Sequence, residues 1–284
     1  MPEVISVNGD IVSAAEARVS VLTPALLLSF GVYESVRVEK GVPFLMAEHL
    51  ERLANSAELI QLPLPASLDV IGSWVAPLLA RSRMSSGLLR ILALGPTPGN
   101  GPVCTLWLQD PLSRPAVLYE TGVGLITVEG ARYVPQAKSL NTLLNYLARR
   151  QAEQQDVHEA LLCQGDLVTE GASSNFFVVS DGMVVTPPVE FVLPGVTRAL
   201  VLRLAAGAGI PTQERVLRLS ERETWDEAFI TSTSRRALPV TCLDGEPIGD
   251  GSVGPVTCRL MEAFTSFDRQ YLADRYPGHL STGA

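Results

Sequence analysis

The sequence predicts a mixed α/β protein of two domains, on three observations. A chain of 284 residues, 46% hydrophobic and 18% charged, is long enough to build two cores. Stretches in which apolar and polar residues alternate are interleaved with stretches at helical spacing. The polar, proline-bearing segment Asp110 to Pro115 separates two strand-like runs and marks a linker. These features place an N-terminal α/β domain over 1–112, a linker over 113–120 and a C-terminal domain over 121–284.

Val4 to Asp10 and Gly31 to Val38 alternate as strands do, with turns at Asn8-Gly9 and Lys40 to Pro43. Ala47 to Leu62 carries Leu50, Leu53, Ala54, Ala57 and Ile60 at helical spacing and is closed by Pro63. A second helix is predicted over Leu68 to Met84, interrupted near Pro77, before strands at Gly87 to Leu94 and Val103 to Leu108. Beyond the linker come a strand over Gly122 to Val128 and a helix over Ser139 to Gln155. That helix turns Leu140, Leu143, Leu144, Leu147 and Ala148 inward and has Lys138 at its entrance. Strands follow at Glu159 to Cys163, Asn175 to Val179 and Met183 to Thr186, then a helix from Thr197 to Gly207. Two further strands, at Glu227 to Thr231 and Pro239 to Leu243, precede a last helix over Pro255 to Phe267 and a frayed tail from Tyr276 to Ala284.

Composition narrows the function. A net charge of −8 lacks the basic excess that binding to a phosphate backbone requires, which excludes nucleic acid as the expected partner. The most apolar N-terminal stretch, Val19 to Tyr33, is broken by Thr23, Pro24 and Ser29, too short a run to span a bilayer. The chain opens with no basic region before an apolar run, so a cytoplasmic location is expected. Cys104, Cys163, Cys242 and Cys258 form no C-x-x-C pair and point to neither disulfides nor a metal site.

One skew carries chemistry: twenty of the twenty-two basic residues are Arg, and only Lys40 and Lys138 are lysines. An amine that loses its proton forms an imine with an aldehyde, which a guanidinium does not do. Lys40 sits in a polar Glu39-Lys40-Gly41 turn, where a solvated side chain is the plain reading. Taken singly, Lys138 beside a helix start, Glu170 in a turn, Arg52 four residues after Glu48 and Thr197 after Pro-Gly all have ordinary structural roles. Taken together they supply what pyridoxal 5′-phosphate requires: a lysine for its aldehyde, a carboxylate for its ring nitrogen and donors for its phosphate. Gly195-Val196-Thr197 at a helix entry, Ser232-Thr233-Ser234 and Arg52 offer the phosphate donors.

These residues lie in segments that resemble the fold-type IV pyridoxal-phosphate enzymes, which include branched-chain and D-amino acid aminotransferases and aminodeoxychorismate lyase. The segments are Gly31-Val-Tyr-Glu-Ser-Val-Arg37, Glu48-His-Leu-Glu-Arg-Leu53, Lys138-Ser-Leu-Asn141, Glu159-Ala-Leu161, Thr169 to Phe176, Leu193 to Arg198 and Asp250 to Thr257, in the family's order. The resemblance implies an N-terminal α/β sandwich, a C-terminal pseudo-barrel and a homodimer. It implies Lys138 as the Schiff-base lysine and proton shuttle, Glu170 facing the pyridine nitrogen, and Arg52, Val196, Thr197, Thr233 and Ser234 around the phosphate. Tyr33, Ser35 and Arg37, on one face of a strand, are the expected substrate-binding residues.

The chain also departs from the family. Leu94 to Gly101 lacks the R-x-H with which D-amino acid aminotransferases hold the substrate carboxylate, which argues against a close D-amino acid enzyme and points to Arg37, Arg235 or Arg236 as its replacement. The last two either recruit an acidic substrate or lie in solvent. Ser35 stands where the lyases carry a hydroxyl, whereas Glu34 is aminotransferase-like. The expected reaction is transfer of an amino group between an amino acid or primary amine and a 2-keto acid. The alternative is release of pyruvate and 4-aminobenzoate from 4-amino-4-deoxychorismate. The intact set of Lys138, Glu170 and Arg52 argues against a non-catalytic dimeric binding protein.

Overall fold

A computed structural model describes residues 2–96, 101–110 and 114–276. By packing it comprises two units, one of Met1–Leu112, Ala137–Asn141 and the segment from Gln270, the other of Ser113–Gln136 and Thr142–Arg269. Parts of the expected Leu94 to Gly101 loop, of the Asp110 to Pro115 linker and of the tail after Tyr276 lie outside the described residues.

The first unit holds an antiparallel sheet built from β1 (Val4–Val7), β2 (Asp10–Ser13), β3 (Gly31–Glu39), β4 (Val42–Pro43), β5 (Gly87–Leu94) and β6 (Val103–Gln109) in the order β2-β1-β6-β5-β3-β4. Short helix α1 (Pro24–Leu27) precedes β3, and α2 (Met46–Leu59), α3 (Leu68–Ser73) and α4 (Val75–Arg81) lie between β4 and β5. The helix expected over Leu68 to Met84 divides at Trp74, three residues ahead of Pro77, whose ring is tolerated only in the first turn of α4. Alternation on β3 sends Val32, Val36 and Val38 into a core with Leu89, Ile91, Ala93, Leu106 and Leu108. Leu50, Leu53 and Ala57 of α2 and Ile71, Val75 and Leu78 of α3 and α4 complete it. Tyr33, Ser35 and Arg37 occupy the other face of β3.

The second unit is arranged on a ten-stranded sheet. Its strands are β7 (Val123–Glu129), β8 (Glu159–Gln164), β9 (Leu167–Gly171), β10 (Asn175–Ser180), β11 (Met183–Thr186), β12 (Thr212–Glu214), β13 (Leu217–Arg218), β14 (Glu227–Ser232), β15 (Arg236–Leu243) and β16 (Glu246–Pro247). The order is β12-β11-β10-β14-β15-β7-β8-β9-β13, with β16 on β15. Helices α5 (Val117–Thr121), α6 (Leu143–Gln154), α7 (Val196–Gly207) and α8 (Pro255–Arg275) accompany it. The parallel neighbours β7 and β8 are joined through α6, as a parallel pair requires a crossover. Ala148 and Ala152 of α6 pack on Ile126, Val128, Ala160 and Leu162, while Leu125, Leu161, Phe176, Val178, Ile230 and Trp225 build a second core.

Several elements differ from the sequence expectation. The stretch 113–120, expected as a linker, contains most of α5. Helix α6 starts at Leu143, not Ser139, and Leu143 and Leu147, expected inside, are 65% and 49% exposed. Glu170 lies on strand β9 and is buried, rather than in a turn. Helix α8 runs on to Arg275, past the expected end at Phe267; Asp268 is still buried, and Tyr271 stacks on Phe44 with ring centroids 4.7 Å apart.

Candidate active site

In the first unit, Lys138 is not at a helix entrance but in an extended segment added to the edge of β3. The Tyr33 N–H donates to the Lys138 carbonyl at 3.0 Å, the Leu140 N–H donates to the Gly31 carbonyl at 2.9 Å, and Ser139 bridges Val32. The Lys138 N–H donates to the buried Ser56 Oγ of α2 at 3.0 Å. A Cβ on Gly31 would stand 2.7 Å from Leu140 Cδ1 and 2.8 Å from the Ala93 carbonyl, so only glycine admits the segment this closely. The main chain therefore fixes Lys138 while its Nζ stands 4.6 Å from the centroid of the Tyr33 ring.

Opposite Tyr33 and Ser35, the buried face of β3 carries Glu34. Arg52 of α2 donates to it through Nε to Oε1 at 2.7 Å and Nη2 to Oε2 at 2.8 Å, and His49 Nδ1 lies 2.8 Å from Oε2. Arg52 thus pairs with Glu34 on the neighbouring strand rather than with Glu48 one turn away. Burial works against ionisation of Glu34, but the Arg52 charge, the His49 ring and the hydrogen bonds from both outweigh it and hold the carboxyl well below its ordinary range. His49 is pushed down by burial and by the Arg52 and Lys138 charges, against the pull of Glu34, so its ring is neutral near pH 7.

On the open face, Ser35 stands directly opposite Arg90 of β5, and Arg90 Nη1 donates to Ser35 Oγ. The Arg90 guanidinium lies 5.5 Å from the Tyr33 ring centroid. Arg37 sits at the far end of β3, in an ion pair with Glu39 at 3.0 Å and 3.6 Å from the centroid of Phe44. Tyr33, Ser35 and Lys138 are therefore gathered, with Arg90 as the residue that sequence reading missed. Cross-strand register alone exposes it, and register is not written in a linear pattern.

In the second unit, Glu170 receives Arg132 Nη1 at 3.1 Å on Oε1 and the Leu193 N–H at 3.0 Å on Oε2. Arg132 is a second residue without a sequence signal; it keeps an anionic carboxylate favourable in a buried place. Leu193 also accepts from Asn175 Nδ2 at 2.8 Å, which ties Glu170 and β10 to the entrance of α7. That helix opens at Val196 and Thr197 with Gly195 as N-cap and no side-chain cap bond. A Cβ at Gly195 would collide with Asn175 Oδ1, so the bare backbone is required there. Uncapped N–H groups with the positive end of the helix dipole suit an anion. Thr233 and Ser234 occupy the turn between β14 and β15.

Arg235 is buried and Arg236 is exposed, and each is held in an ion pair. Arg235 is 8% exposed and paired with Glu159 at 2.7 Å, and Arg236 is paired with the buried Asp268 at 2.7 Å.

The first unit offers a lysine fixed beside Tyr33, and the second a buried carboxylate paired with Arg132 and a helix entry without a side-chain cap; each is a group that a pyridoxal-phosphate enzyme of the transaminase class uses. Residues 31–243 match the family model for amino-transferase class IV, and the chain belongs to that family. It is 35% identical to a D-alanine aminotransferase of Staphylococcus aureus, over 93% of this chain and 98% of the relative. It superposes on the branched-chain amino acid aminotransferase of Escherichia coli with a TM-score of 0.87 at 28% identity, covering 94% of each chain. A branched-chain amino acid aminotransferase from T.th., solved with pyridoxamine 5′-phosphate, gives a TM-score of 0.87 at 28% identity, covering 96% of this chain and 97% of that one. The protein is a fold-type IV, pyridoxal-phosphate-dependent aminotransferase that moves an amino group between an amino substrate and a 2-keto acid. These relatives favour transfer over the lyase reaction. Although the R-x-H motif is missing, a D-alanine enzyme stands among them. Among the described residues, no helix is long and apolar enough to cross a membrane.

Proposed function

We propose that Lys138 is the cofactor-bearing lysine, that Glu170 faces the pyridine nitrogen, and that Arg52, Val196, Thr197, Thr233 and Ser234 hold the phosphate. The donor set fits pyridoxal phosphate on the chemistry of its parts: an amine, a carboxylate paired with Arg132, a helix entry without a side-chain cap, and the two hydroxyls of the β14–β15 turn. When bound, the cofactor supplies an aldehyde for an amine and a ring that accepts the electron pair left as the α-proton departs.

The chain's own groups do the rest. Glu170, paired with Arg132, would hold the ring nitrogen and favour a proton there. Lys138 would hold the aldehyde through Nζ, and as a free amine Nζ would take up the α-proton and give it back. Tyr33 and Ser35 line the substrate side of β3. Arg90, rather than Arg37, binds the substrate carboxylate, because Arg37 is engaged with Glu39 and Phe44 while Arg90 stands beside Ser35 and the Tyr33 ring.

The observation that carries this reading is the main-chain clamp on Lys138, which holds one of only two lysines in the chain with Nζ against Tyr33. A spectral titration of the cofactor-loaded protein with L- and D-amino acids and primary amines tests it. Conversion of the lysine-bound cofactor band to that of the aminated cofactor names the donor class. A stable band with every donor, together with pyruvate release from aminodeoxychorismate, overturns transfer in favour of the lyase.

The protein acts as a cytoplasmic homodimer. Val21, Leu22, Leu27 and Leu28 of the first unit are 82%, 85%, 87% and 73% exposed, and Leu143, Tyr146 and Leu147 expose an apolar face of α6. Apolar surface of this kind is characteristic of a self-association face. Sedimentation giving the mass of a monomer at micromolar concentration would overturn the dimer.

A further inference from the structure

The turn that carries Thr233 and Ser234 is fastened at its end by two successive arginines. The Arg235 N–H closes it on the Ser232 carbonyl at 3.1 Å. The Arg235 side chain turns inward: Nη2 pairs with Glu159 Oε2 at 2.7 Å, and Nη1 donates to Ser173 Oγ at 3.0 Å and to the Ser173 carbonyl at 3.3 Å. Glu159 Oε1 also accepts from the Ser173 N–H at 2.5 Å and from Ser173 Oγ at 2.9 Å, so strand β8, Ser173 and the turn share one hydrogen-bond network around the buried Glu159 and Arg235 side chains. The Arg235 carbonyl accepts from Tyr119 Oη at 3.0 Å. Arg236, next in the chain, takes a left-handed φ of 59° and is tied to Asp268 of α8.

Ser173 lies three residues beyond Glu170. The network therefore joins the segment assigned to the ring nitrogen to the turn assigned to the phosphate. A loose turn would have to be ordered each time a ligand binds, and that cost would weaken binding; a turn bolted to β8 has been ordered on folding.

We propose that Arg235 is a positioning residue for the cofactor phosphate, holding the Ser232–Arg235 turn against Glu159 and Ser173 so that Thr233 and Ser234 present their donors in one arrangement. The proposal rests on the reading of Thr233 and Ser234 as phosphate ligands. It assigns Arg235 no contact with the cofactor itself.

The test compares pyridoxal phosphate with pyridoxal, which lacks the phosphate, in equilibrium titrations of the full chain stripped of cofactor. Arg235→Gln is expected to weaken pyridoxal phosphate about tenfold or more, the scale of a lost charge-assisted bond, and pyridoxal by less than about threefold. Arg235→Lys, which keeps the charge, should recover part of the preference. Equal weakening of both ligands, or of neither, overturns the proposal, since a merely structural arginine would not discriminate between them. Thr233→Val is the separate check on the underlying reading. If it leaves the preference for the phosphorylated ligand intact, the turn does not bind phosphate and the role of Arg235 falls with it. If Thr233→Val narrows the preference and Arg235→Gln does not, only the assignment of Arg235 falls. Should Arg235→Gln fail to fold, Glu159→Gln and Ser173→Ala interrupt the same network from its other side and are read by the same two titrations.

Discussion

Arg52 grips Glu34 with two parallel hydrogen bonds, Nε to Oε1 at 2.7 Å and Nη2 to Oε2 at 2.8 Å, and the carboxylate side chain is wholly buried. Removing one partner of such a pair strands the other charge away from water. Arg52→Ala should therefore lower the unfolding free energy by about 3–5 kcal/mol at pH 7. The folded-state pKa of Glu34 is depressed, so its contribution is present above the unfolded carboxyl value of 4.5 and fades as pH falls below it. In Arg52→Ala the folded value rises, reversing the sign of that contribution. Urea unfolding of the cofactor-free protein checks both points, and a loss under about 1 kcal/mol, the scale of an exposed pair, would reject the buried-pair account. The variant should also release cofactor on dialysis; retention equal to the parent would remove Arg52 from the phosphate site.

Lys138 is held through its backbone, by Tyr33 and Ser56, so the fold is expected to survive loss of its side chain. Lys138→Ala is expected to keep the parent circular dichroism and melting temperature. It should lose the covalent cofactor adduct trapped by borohydride, and turnover should fall by several orders of magnitude, as for loss of a nucleophile that also moves the proton. Intact-mass measurement after reduction reads the first outcome directly. An adduct of unchanged yield would mean that Lys40, the other lysine, carries the cofactor.

The pairing of Arg90 with Ser35 separates two candidates for the substrate carboxylate. Loss of a charge-assisted contact corresponds to roughly 1.5–3 kcal/mol, so Arg90→Ala should raise KM for both amino donor and keto acid about 10- to 100-fold. Arg37→Ala, which removes a guanidinium already occupied by Glu39 and Phe44, should leave KM within about twofold while costing some stability. Steady-state kinetics in which the two variants exchange these behaviours would restore Arg37 to the substrate.

How much of the fold and site is legible in the sequence follows from what each signal physically encodes. β3 and α2 are readable because alternation and helical spacing are local consequences of burying one face, and both elements bury one face. β9 is not: Val168, Thr169, Glu170 and Gly171 are all buried, so no alternation survives to be read, and Glu170 passes for a turn residue. Leu143 and Leu147 repeat at helical spacing and still face outward, since periodicity reports an apolar face without saying what covers it. The motifs point to Lys138, Glu170 and Arg52, whereas their partners Ser56, Arg132 and Glu34 emerge only when distant segments meet. The Arg235-Arg236 pair is conspicuous in the sequence, yet its pairing is hidden there, because exposure is the common state of arginine and the carboxylates that engage it lie 76 and 32 residues away in the chain.

His158 reports on that same arginine network. Burial, together with repulsion from Arg235 and Arg114, lowers its pKa to about 4, and its Nε2 is buried without a hydrogen-bond partner. The unfolded chain takes up a proton here near the ordinary value of 6.5, whereas the folded chain resists protonation until about pH 4. Between those limits the unfolded state binds more protons, so stability rises with pH across the window and is lost as pH falls from 6.5 toward 4. The ring is only half enclosed, and solvent screening leaves roughly 1 kcal/mol of the effect, which corresponds to a fall of about 2–4 °C in Tm. His158→Gln should remove this increment, so that the melting temperatures of variant and parent converge or cross as pH drops from about 7 to about 5. Parallel curves over that interval would show that His158 protonates equally readily in both states. Arg235→Gln supplies an internal control: taking away one of the two neighbouring charges should raise the His158 pKa and shift the acid-sensitive window upward toward 6.5, visible as a displaced C2–H titration in the proton spectrum.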